Sequence, residues 1–275
     1  MKKILAISLA VMLCMLACAA FAEEEATGKL KEILDRGELI VATDAAWAPF
    51  EYIGADGEVT GSDLELAQYI ADQLGVKLTV INVAFDSIST YLVNDEADMS
   101  LSAMTITEER KETLDFSVPY TVAQQYIIVN EDNDSVATIE DLAGQNIGVH
   151  LGTTGDFLVS DEILKDTGVL YNTGANVQQY KFLTDAALAL KNGELGAIVC
   201  DTMLAENIVA VNGGLKCFAL TYADGSATIE ELGIAMKKGD EAFVNKINEI
   251  ITPVIEDGTI DKWIVEHSEK ASALN

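Results

Sequence analysis

The chain has 275 residues, with 45 acidic residues against 17 lysines and arginines, and its formal net charge at pH 7 is −28. A surface of this charge repels nucleic acid and anionic lipid, so neither is expected as a partner. The length allows one large or two small domains, each able to bury its own core.

The first residues have the pattern of a secretory signal peptide. Two lysines precede the apolar run Ile4 to Phe21, and a small-x-small cleavage site ends at Ala22. We expect residues 1–22 to be removed and the mature chain to be periplasmic or extracellular. No other segment approaches the roughly 20 apolar residues that a membrane span needs. The alternative is a lipid anchor at Cys18.

The following residues begin a repeated β-α-β pattern. A short helix from Thr27 to Arg36 precedes strand Glu38 to Thr43, which runs straight into Asp44 at a strand end suited to a binding loop. Three aromatic residues follow within six positions: Trp47, Phe50 and Tyr52. They can form part of the core or a flat wall against a ligand.

Ser62 and Glu65 have the spacing of a capping box that starts a helix, and Gly75 ends that helix. Hydrophobic periodicity predicts the next elements: strand Lys77 to Val83, helix Asp86 to Asn94 and strand Met99 to Leu101. This order predicts a mostly parallel sheet, in which ligands bind beyond the carboxyl ends of the strands.

The stretch from Ser102 to Tyr120, SAMTITEERKETLDFSVPY, follows such a strand end and concentrates hydroxyl groups there. Arg110 lies within it, and its planar, permanently charged guanidinium can bind a small carboxylate with two parallel hydrogen bonds. The alternative is an ion pair between Arg110 and one of its neighbours, Glu108, Glu109 or Glu112.

The second half of the chain predicts another α/β unit. Its elements are strand Gln125 to Val129, helix Thr138 to Leu142, strand Asn146 to His150, helix Asp156 to Leu164, strand Gln178 to Phe182, helix Asp185 to Asn192, strand Ala197 to Cys200, helix Thr202 to Val209 and strand Leu215 to Thr221. The polar loop Glu131 to Ser135 is interpreted as the passage into a second lobe, and the acidic segment Tyr222 to Glu231 as the return.

Two strand ends in this unit are candidates for ligand binding. The turn Gly152 to Gly155 leads into a helix, and its N–H groups could bind an anion at the positive helix end, although plain capping is the alternative. Asp201 follows an apolar strand, where an unpaired acid is costly. It either binds a ligand cation or caps the next helix, and the two roles are compatible.

The chain ends with strand Leu232 to Met236 and helices Glu241 to Glu256 and Ile260 to Glu266. We expect His267 to lie on the surface and the last residues, Ser268 to Asn275, to be loose.

The sequence contains no G-x-S-x-G, H-E-x-x-H, Walker or G-x-G-x-x-G motif, and its two histidines are far apart. No catalytic residue, metal or cofactor is therefore expected. His150 either reaches a ligand or is a partly buried structural residue. Cys200 and Cys217 either form a disulfide or pack as two small hydrophobic residues.

Taken together, these residues resemble extracellular solute-binding protein family 3, the substrate-binding proteins of polar amino acid ABC importers. The family pattern (S/G)-x-(M/L)-(S/T)-I-T-x-x-R, followed by F-S-x-P-Y, is matched from Ser102 to Arg110 and from Phe116 to Tyr120. Five further pieces are similar: Thr43 to Tyr52, Gly61 to Gly75, Ala84 to Asp86, Gly148 to Gly155 and Asp201. The resemblance runs from about Leu39 to the C-terminus.

The resemblance implies a two-lobed, periplasmic-binding-protein-like α/β fold of type II, with a mostly parallel sheet flanked by helices in each lobe and two hinge crossings. Residues 23–122 and 225–275 would form lobe 1, and residues 123–224 would form lobe 2. The implied function is that of a monomer that captures a free L-amino acid as its lobes close and delivers it to the permease subunits of an ABC transporter.

The resemblance also implies which residues bind this ligand. The α-carboxylate would be bound by Arg110, the Thr105 hydroxyl and N–H, and the N–H groups of Thr153 and Thr154. The α-ammonium would be bound by Asp201, the Thr105 hydroxyl and the Ala103 carbonyl. The side chain would be enclosed by Asp44, Trp47, Phe85 and Ser102, with His150 as a further contact.

Asp44 with two aromatic walls suits a cationic or polar side chain, so arginine, lysine, histidine and glutamine are the predicted ligands. Two alternatives stay open: an enzyme on the same fold, since secreted cyclohexadienyl dehydratases resemble this family, and a soluble ligand-sensing partner of a receptor. Ala103 and Trp47 depart from the residues that the family usually has at these positions, glycine or serine and tyrosine or phenylalanine.

Overall fold

The structure is a computed structural model that describes residues 26–222 and 225–274. The predicted signal peptide and the alternative lipid anchor at Cys18 lie outside these residues. The described chain forms two lobes, each built on a β-sheet with helices packed against it. Among the described helices, none is long and apolar enough to cross a membrane.

The α-helices are α1 Gly28–Arg36, α2 Ser62–Leu74, α3 Ile88–Val93, α4 Thr154–Leu164, α5 Leu183–Lys191, α6 Thr202–Asn212, α7 Glu241–Glu256 and α8 Thr259–Ser272. The strands are β1 Glu38–Thr43, β2 Ala46–Trp47, β3 Glu51–Ile53, β4 Val59–Thr60, β5 Lys77–Asn82, β6 Met99–Ser100, β7 Leu114–Phe116, β8 Thr121–Asn130, β9 Asn146–His150, β10 Asn176–Tyr180, β11 Ala197–Asp201, β12 Leu215–Ala219, β13 Ile229–Leu232 and β14 Ala235–Lys237. Short 3-10 helices cover Phe85–Ser87, Arg110–Glu112 and Ile139–Leu142.

The first lobe is built on a five-stranded sheet with the order β5-β1-β6-β14-β7, and the second lobe on a six-stranded sheet with the order β10-β9-β11-β8-β12 in which β13 also pairs with β8. Strands β1, β5 and β6 are parallel, as are β9, β10 and β11. The other strands run antiparallel to their neighbours. The predicted two-lobed α/β fold is confirmed. Its sheets are mixed and not mostly parallel, because the strands next to the two crossings run antiparallel to their neighbours.

The two crossings form one antiparallel ribbon between the lobes. The first residues of β8, Thr121 to Gln124, pair with β13, and the rest of β8 pairs with β11 and β12. The loop Glu131 to Ser135 therefore follows the passage into the second lobe and does not form it, so that interpretation is wrong. Polar loop composition resembles a linker, whereas the actual crossing is an ordinary strand.

The start of helix α2 differs from the predicted capping box. The N-cap residue is Gly61, and the N–H groups of Ser62 and Asp63 donate to the carbonyl groups of Pro49 and Phe50. The first turn is thus satisfied by a segment distant in sequence, which sequence spacing cannot indicate. The predicted end is confirmed, because Gly75 adopts the left-handed conformation with φ 69°.

Gly61 is predicted to contribute strongly to stability. Its φ is 144°, and a Cβ atom placed on it would lie 1.9 Å from the carbonyl oxygen of Phe50. We expect Gly61→Ala to lower the free energy of unfolding by about 3 kcal/mol in urea denaturation. The control is Gly57→Ala, at φ 83° with open space around it, which should cost only about 1 kcal/mol. Equal losses in both variants would contradict the steric argument.

The C-terminal segment is ordered. Helix α8 continues to Ser272, with Ala271 buried, and His267 is only 1% exposed. Its Nδ1 lies 3.0 Å from the hydroxyl of Tyr52, and its Nε2 lies 3.3 Å from a carboxylate oxygen of Glu65. The expected surface position of His267 is wrong, and the expected loose ending is wrong for Ser268 to Ser272, because this face of α8 packs on the first lobe.

The two cysteines in the described part of the chain, Cys200 and Cys217, are not bonded to each other. Cys200 on β11 and Cys217 on β12 lie on opposite sides of β8, across two strand spacings of about 4.8 Å each. That separation exceeds the roughly 7 Å between Cα atoms that a disulfide can span. Of the two alternatives, the structure favours two small hydrophobic residues.

Candidate functional site

The lobes meet around a small cavity at the carboxyl ends of the parallel strands. Nine residues line it: Trp47, Phe85, Ser102, Ala103, Thr105, Arg110, Thr153, Thr154 and Asp201. All nine belong to the eleven residues predicted for ligand binding. The cavity is about 10 Å³, room for roughly one water molecule. A ligand of amino acid size therefore enters only when the lobes or the lining side chains move apart.

The loop after β6 is held in place by the buried carboxylate of Asp63. Its Oδ2 accepts hydrogen bonds from the N–H of Ala103 at 2.9 Å and from the hydroxyl of Tyr120 at 2.8 Å. Ala103 adopts φ 44°, in the left-handed region that glycine prefers. Burial raises the pKa of Asp63 to about 6, and both hydrogen bonds oppose this. The loop is thus fixed with its next hydroxyl residue, Thr105, at the cavity.

Arg110 spans the gap between the lobes. Its Nη1 donates to the Thr105 carbonyl at 2.7 Å and its Nη2 to the Gly152 carbonyl at 3.2 Å, and the guanidinium lies 5.4 Å from the centre of the Phe85 ring. Among the described residues, no ion pair joins Arg110 to Glu108, Glu109 or Glu112, so the alternative pairing is wrong. Glu108 pairs with Lys111 instead, and Glu109 acts on Arg110 only through its charge at longer range. Burial lowers the pKa of Arg110, against the pull of nearby carboxylates. The guanidinium is therefore available to an anion.

The turn before α4 uses most of its own N–H groups. The N–H and the hydroxyl of Thr153 both donate to the carbonyl of His150, and the N–H of Gly152 donates to the buried carboxylate of Asp156. Thr154 is the first residue of α4, so its N–H has no partner within the helix. Of the two predicted N–H donors, Thr153 is engaged within the turn and Thr154 is left for a ligand.

Asp201 ends β11 with its carboxylate in the gap between the lobes. Oδ1 accepts from the side-chain Nε2 of Gln125 at 2.5 Å, and Oδ2 accepts from the indole Nε1 of Trp47 at 3.2 Å. Asp201 stands at the N-cap position of α6, but its side chain makes no capping hydrogen bond. The capping alternative is therefore wrong. Burial, with the charge of Glu230, raises the pKa of Asp201 to about 7.

Asp44 and His150, the other two predicted residues, line a wider cavity of about 550 Å³ that shares Phe85 with the first. Asp44 Oδ2 accepts from the N–H of Phe85 at 3.0 Å, and burial raises its pKa to about 6. The His150 ring stacks on Trp47 at 5.2 Å and lies 2.7 Å from the carbonyl of Lys181. Because burial lowers the pKa of His150, we assign it as neutral, with Nε2–H as the donor.

Two further residues belong to the site and were not predicted. Glu230 on β13 accepts hydrogen bonds from the hydroxyl groups of Thr105 and Thr154, and Gln125 on β8 donates to both Glu230 and Asp201. Both come from the crossing strands. The sequence contained one signal for Glu230. Successive residues of a strand point to opposite faces, so either Glu230 or Glu231 must point inward.

Carboxylates dominate the electrostatics of the site. Within residues 26–222 and 225–274, no group of three or more histidine, cysteine or acidic side chains could hold a metal ion. The site thus combines one guanidinium and a free helix N–H on one side with two carboxylates on another, an arrangement complementary to a zwitterion.

Residues 39–268 match the bacterial extracellular solute-binding proteins, family 3. The chain is 33% identical to a probable histidine-binding protein of Neisseria gonorrhoeae, over 93% of this chain and 94% of that protein. It is 29% identical to the L-cystine-binding protein TcyJ of Escherichia coli K12, over 89% and 88% of the two chains. The arginine-bound form of truncated ArgBP from T. maritima superimposes with a TM-score of 0.72 at 37% identity, covering 81% of this chain and 99% of that one. The chain belongs to the bacterial extracellular solute-binding proteins, family 3.

Proposed function

We propose that this chain captures a free L-amino acid between its lobes outside the cytoplasm and delivers it to the permease subunits of an ABC importer. The observation that carries the proposal is the cavity between the lobes. It has on one side a guanidinium that forms no ion pair with any residue that the structure describes, and on another a buried carboxylate. The relatives reported above are named as binding proteins, so we propose binding without turnover. Export through the predicted signal peptide and a monomeric state belong to the same proposal.

The proposed orientation places the ligand's α-carboxylate against Arg110 and the N–H groups of Thr105 and Thr154. Its α-ammonium lies against Asp201 and the carbonyl of Ala103. Arg110 can exchange its two carbonyl acceptors for a carboxylate, which forms stronger, charge-assisted hydrogen bonds. Because contacts come from both lobes, the ligand stabilises the closed form.

The proposed ligands have a cationic or polar side chain. Asp44 supplies a carboxylate, and Trp47 and Phe85 supply aromatic faces for a cation. The wider cavity that contains Asp44 has room for a long side chain. Among the relatives reported above, the names specify histidine, cystine and arginine, which supports this class. Arginine and histidine are therefore our first candidates.

A thermal-shift screen of all 20 amino acids tests the function. An amino acid present at about 100 times its Kd should stabilise the folded chain by about 2.7 kcal/mol. We expect the largest shifts from cationic and polar amino acids, with prephenate and arogenate as controls that should be neither bound nor converted. If no amino acid raises Tm, the proposal is contradicted.

Ligand binding is predicted to close the lobes. We propose that residues 23–122 and 225–275 move as one body and residues 123–224 as the other, with the ribbon of β8 and β13 as the hinge. Small-angle scattering should then give a smaller radius of gyration with ligand than without. An unchanged radius, in a sample in which calorimetry confirms binding, would mean that this hinge is wrong or that the ligand-free form is already closed.

A further inference from the structure

Glu230 contacts the proposed ligand site through two hydroxyl groups. Its Oε2 accepts from the Thr105 hydroxyl of the first lobe at 2.9 Å and from the Thr154 hydroxyl of the second lobe at 2.8 Å. Both threonines line the cavity, whereas Glu230 is not among the lining residues. The contacts between Glu230 and the residues that line the cavity therefore include these two hydroxyl groups.

The direction of these hydrogen bonds decides what the hydroxyl groups can bind. An ionised carboxylate only accepts hydrogen bonds, and a hydroxyl group has a single proton. The protons of the Thr105 and Thr154 hydroxyl groups are thus directed at Glu230. The Thr154 oxygen also accepts from Gln125 Nε2 at 3.3 Å, which leaves it one lone pair, and the Thr105 oxygen keeps two. These lone pairs bind a donor such as an ammonium group but repel a carboxylate.

Gln125 connects Glu230 to the second carboxylate of the site, Asp201. Its Nε2 donates to Asp201 at 2.5 Å and lies 3.2 Å from Glu230 Oε2. The amide nitrogen, and not the amide oxygen, must face these two carboxylates, since only the nitrogen carries protons. Two carboxylates at one amide group make this side of the cavity strongly negative. A cationic group placed there is stabilised by both charges.

We propose that Glu230 is a positioning residue that makes the Thr105 and Thr154 hydroxyl groups acceptors for the ligand's α-ammonium. This refines the proposed function and rests on it. The ammonium is then bound by Asp201 and two hydroxyl groups, one from each lobe. The α-carboxylate is left to Arg110 and main-chain N–H groups, so the Thr105 hydroxyl serves one ligand group and not both.

The test replaces Glu230 with glutamine, which has the same shape but no charge. Both hydroxyl groups and Gln125 Nε2 meet the same oxygen, Oε2. Glutamine therefore places there either an uncharged, weaker acceptor or an amide nitrogen that cannot accept the hydroxyl protons. Calorimetry compares L-arginine with 5-guanidinopentanoic acid, which has the same side chain and carboxylate but no α-ammonium. We expect Glu230→Gln to raise the Kd of L-arginine about tenfold or more. The Kd of the analogue, measured by competition, should change less than about twofold.

The matched control is Glu231→Gln on the same strand. Glu231 is exposed and lines an open groove on the outer face of the first lobe, so this variant should leave both Kd values unchanged. Thr105→Val removes one hydroxyl from the other end of the hydrogen bond and should reproduce the selective loss. It keeps the test decisive if Glu230→Gln folds poorly.

The same comparison with L-glutamine and glutaramic acid covers a ligand that is not arginine. Equal losses for an amino acid and its analogue, no loss, or tighter binding by Glu230→Gln would each overturn the role of Glu230. Failure of the wild-type protein to bind any of the 20 amino acids would instead contradict the proposed function. The two failures are therefore distinguishable.

Discussion

Replacement of Arg110 with alanine is expected to abolish amino acid binding and to leave the fold intact. The guanidinium is the one basic side chain among the residues that line the described cavity, and a bidentate pair with the α-carboxylate is the strongest contact that the site can offer. Its loss should cost about 3 kcal/mol or more, on the order of a hundredfold in Kd. Calorimetry with the amino acid that gives the largest thermal shift measures this directly.

The fold should tolerate the change, because the partners of Arg110 are the carbonyl groups of Thr105 and Gly152. Both carbonyls lie at the gap between the lobes, where water can replace the guanidinium. Lys111→Ala is the matched control: Lys111 is the adjacent cation, exposed and paired with Glu108, so its removal should not change Kd.

A second variant separates charge from geometry. Arg110→Lys keeps the positive charge but loses the planar fork, so its loss of affinity should fall between those of the wild-type protein and Arg110→Ala. An unchanged Kd in Arg110→Ala, with Tm near the wild-type value, would contradict the proposed carboxylate contact.

Elements with a strong local signal were predictable from the sequence. Strand β9 and helix α7 have the predicted bounds, because periodic apolar residues and flanking turn residues determine such elements locally. Gly37 and Gly75 end their helices in the left-handed conformation, as a missing Cβ allows. The residues at strand ends could also be predicted to meet, because parallel strands direct their carboxyl ends to one edge.

The failures share a different cause, which is contact between segments distant in sequence. Ser62 matches a capping box, but the first N–H groups of α2 donate to the carbonyl groups of a loop, each 13 residues earlier in the chain. His267 follows the polar pattern of a surface helix, yet it is buried against Tyr52. A periodic pattern identifies an element, and it does not identify what packs on that element.

In the candidate site, too, local signals were predictable and contacts between distant segments were not. The nine cavity residues follow strand ends or motifs, and it was the resemblance of these motifs to the family that implied a common ligand site. Hydrogen-bond directions were not, because the engagement of the Thr153 N–H depends on the conformation of the turn. The contacts of Glu230 depend on how the crossing strand lies between the lobes. Residue identity was thus more predictable than the role of each polar atom.

The second large effect is expected at Asp201. Every amino acid presents the same α-ammonium, so Asp201→Asn should weaken all ligands by a similar factor, roughly tenfold or more. Asp44 is proposed to contact the side chain, so Asp44→Asn should weaken cationic ligands most and leave glutamine nearly unaffected. A charged hydrogen bond contributes roughly 1.5 to 3 kcal/mol, against about 1 kcal/mol for a neutral one. Calorimetry with arginine, lysine and glutamine gives both profiles, and two uniform profiles would contradict the orientation.

The pH dependence of affinity provides an independent test of Asp201. Burial and the charge of Glu230 raise its pKa in the ligand-free fold to about 7, while the α-ammonium needs the ionised carboxylate. As the pH falls from 8 to 6, a proton must leave Asp201 before the ligand binds. The Kd of the wild-type protein should therefore rise, by at most about tenfold per pH unit. With a neutral ligand such as glutamine, for which the titration of Asp44 near pH 6 matters little, Asp201→Asn should lose most of this slope, since asparagine does not titrate.

Stability without ligand should change in the opposite direction over the same range. The pKa of Asp201 in the folded chain lies above its usual value of 3.8, so the folded chain binds the proton more tightly than the unfolded chain does. The cost of the buried charge is complete above the folded pKa and is relieved as the pH falls toward 3.8. Relative to Asp201→Asn, the wild-type protein should thus gain stability from pH 8 to pH 6 in urea denaturation while it loses affinity for its ligand. The contrary result is that the wild-type protein and Asp201→Asn differ in stability, and in affinity, by the same amount at pH 8 and at pH 6. Asp201 would then not be the titrating group that binds the ammonium.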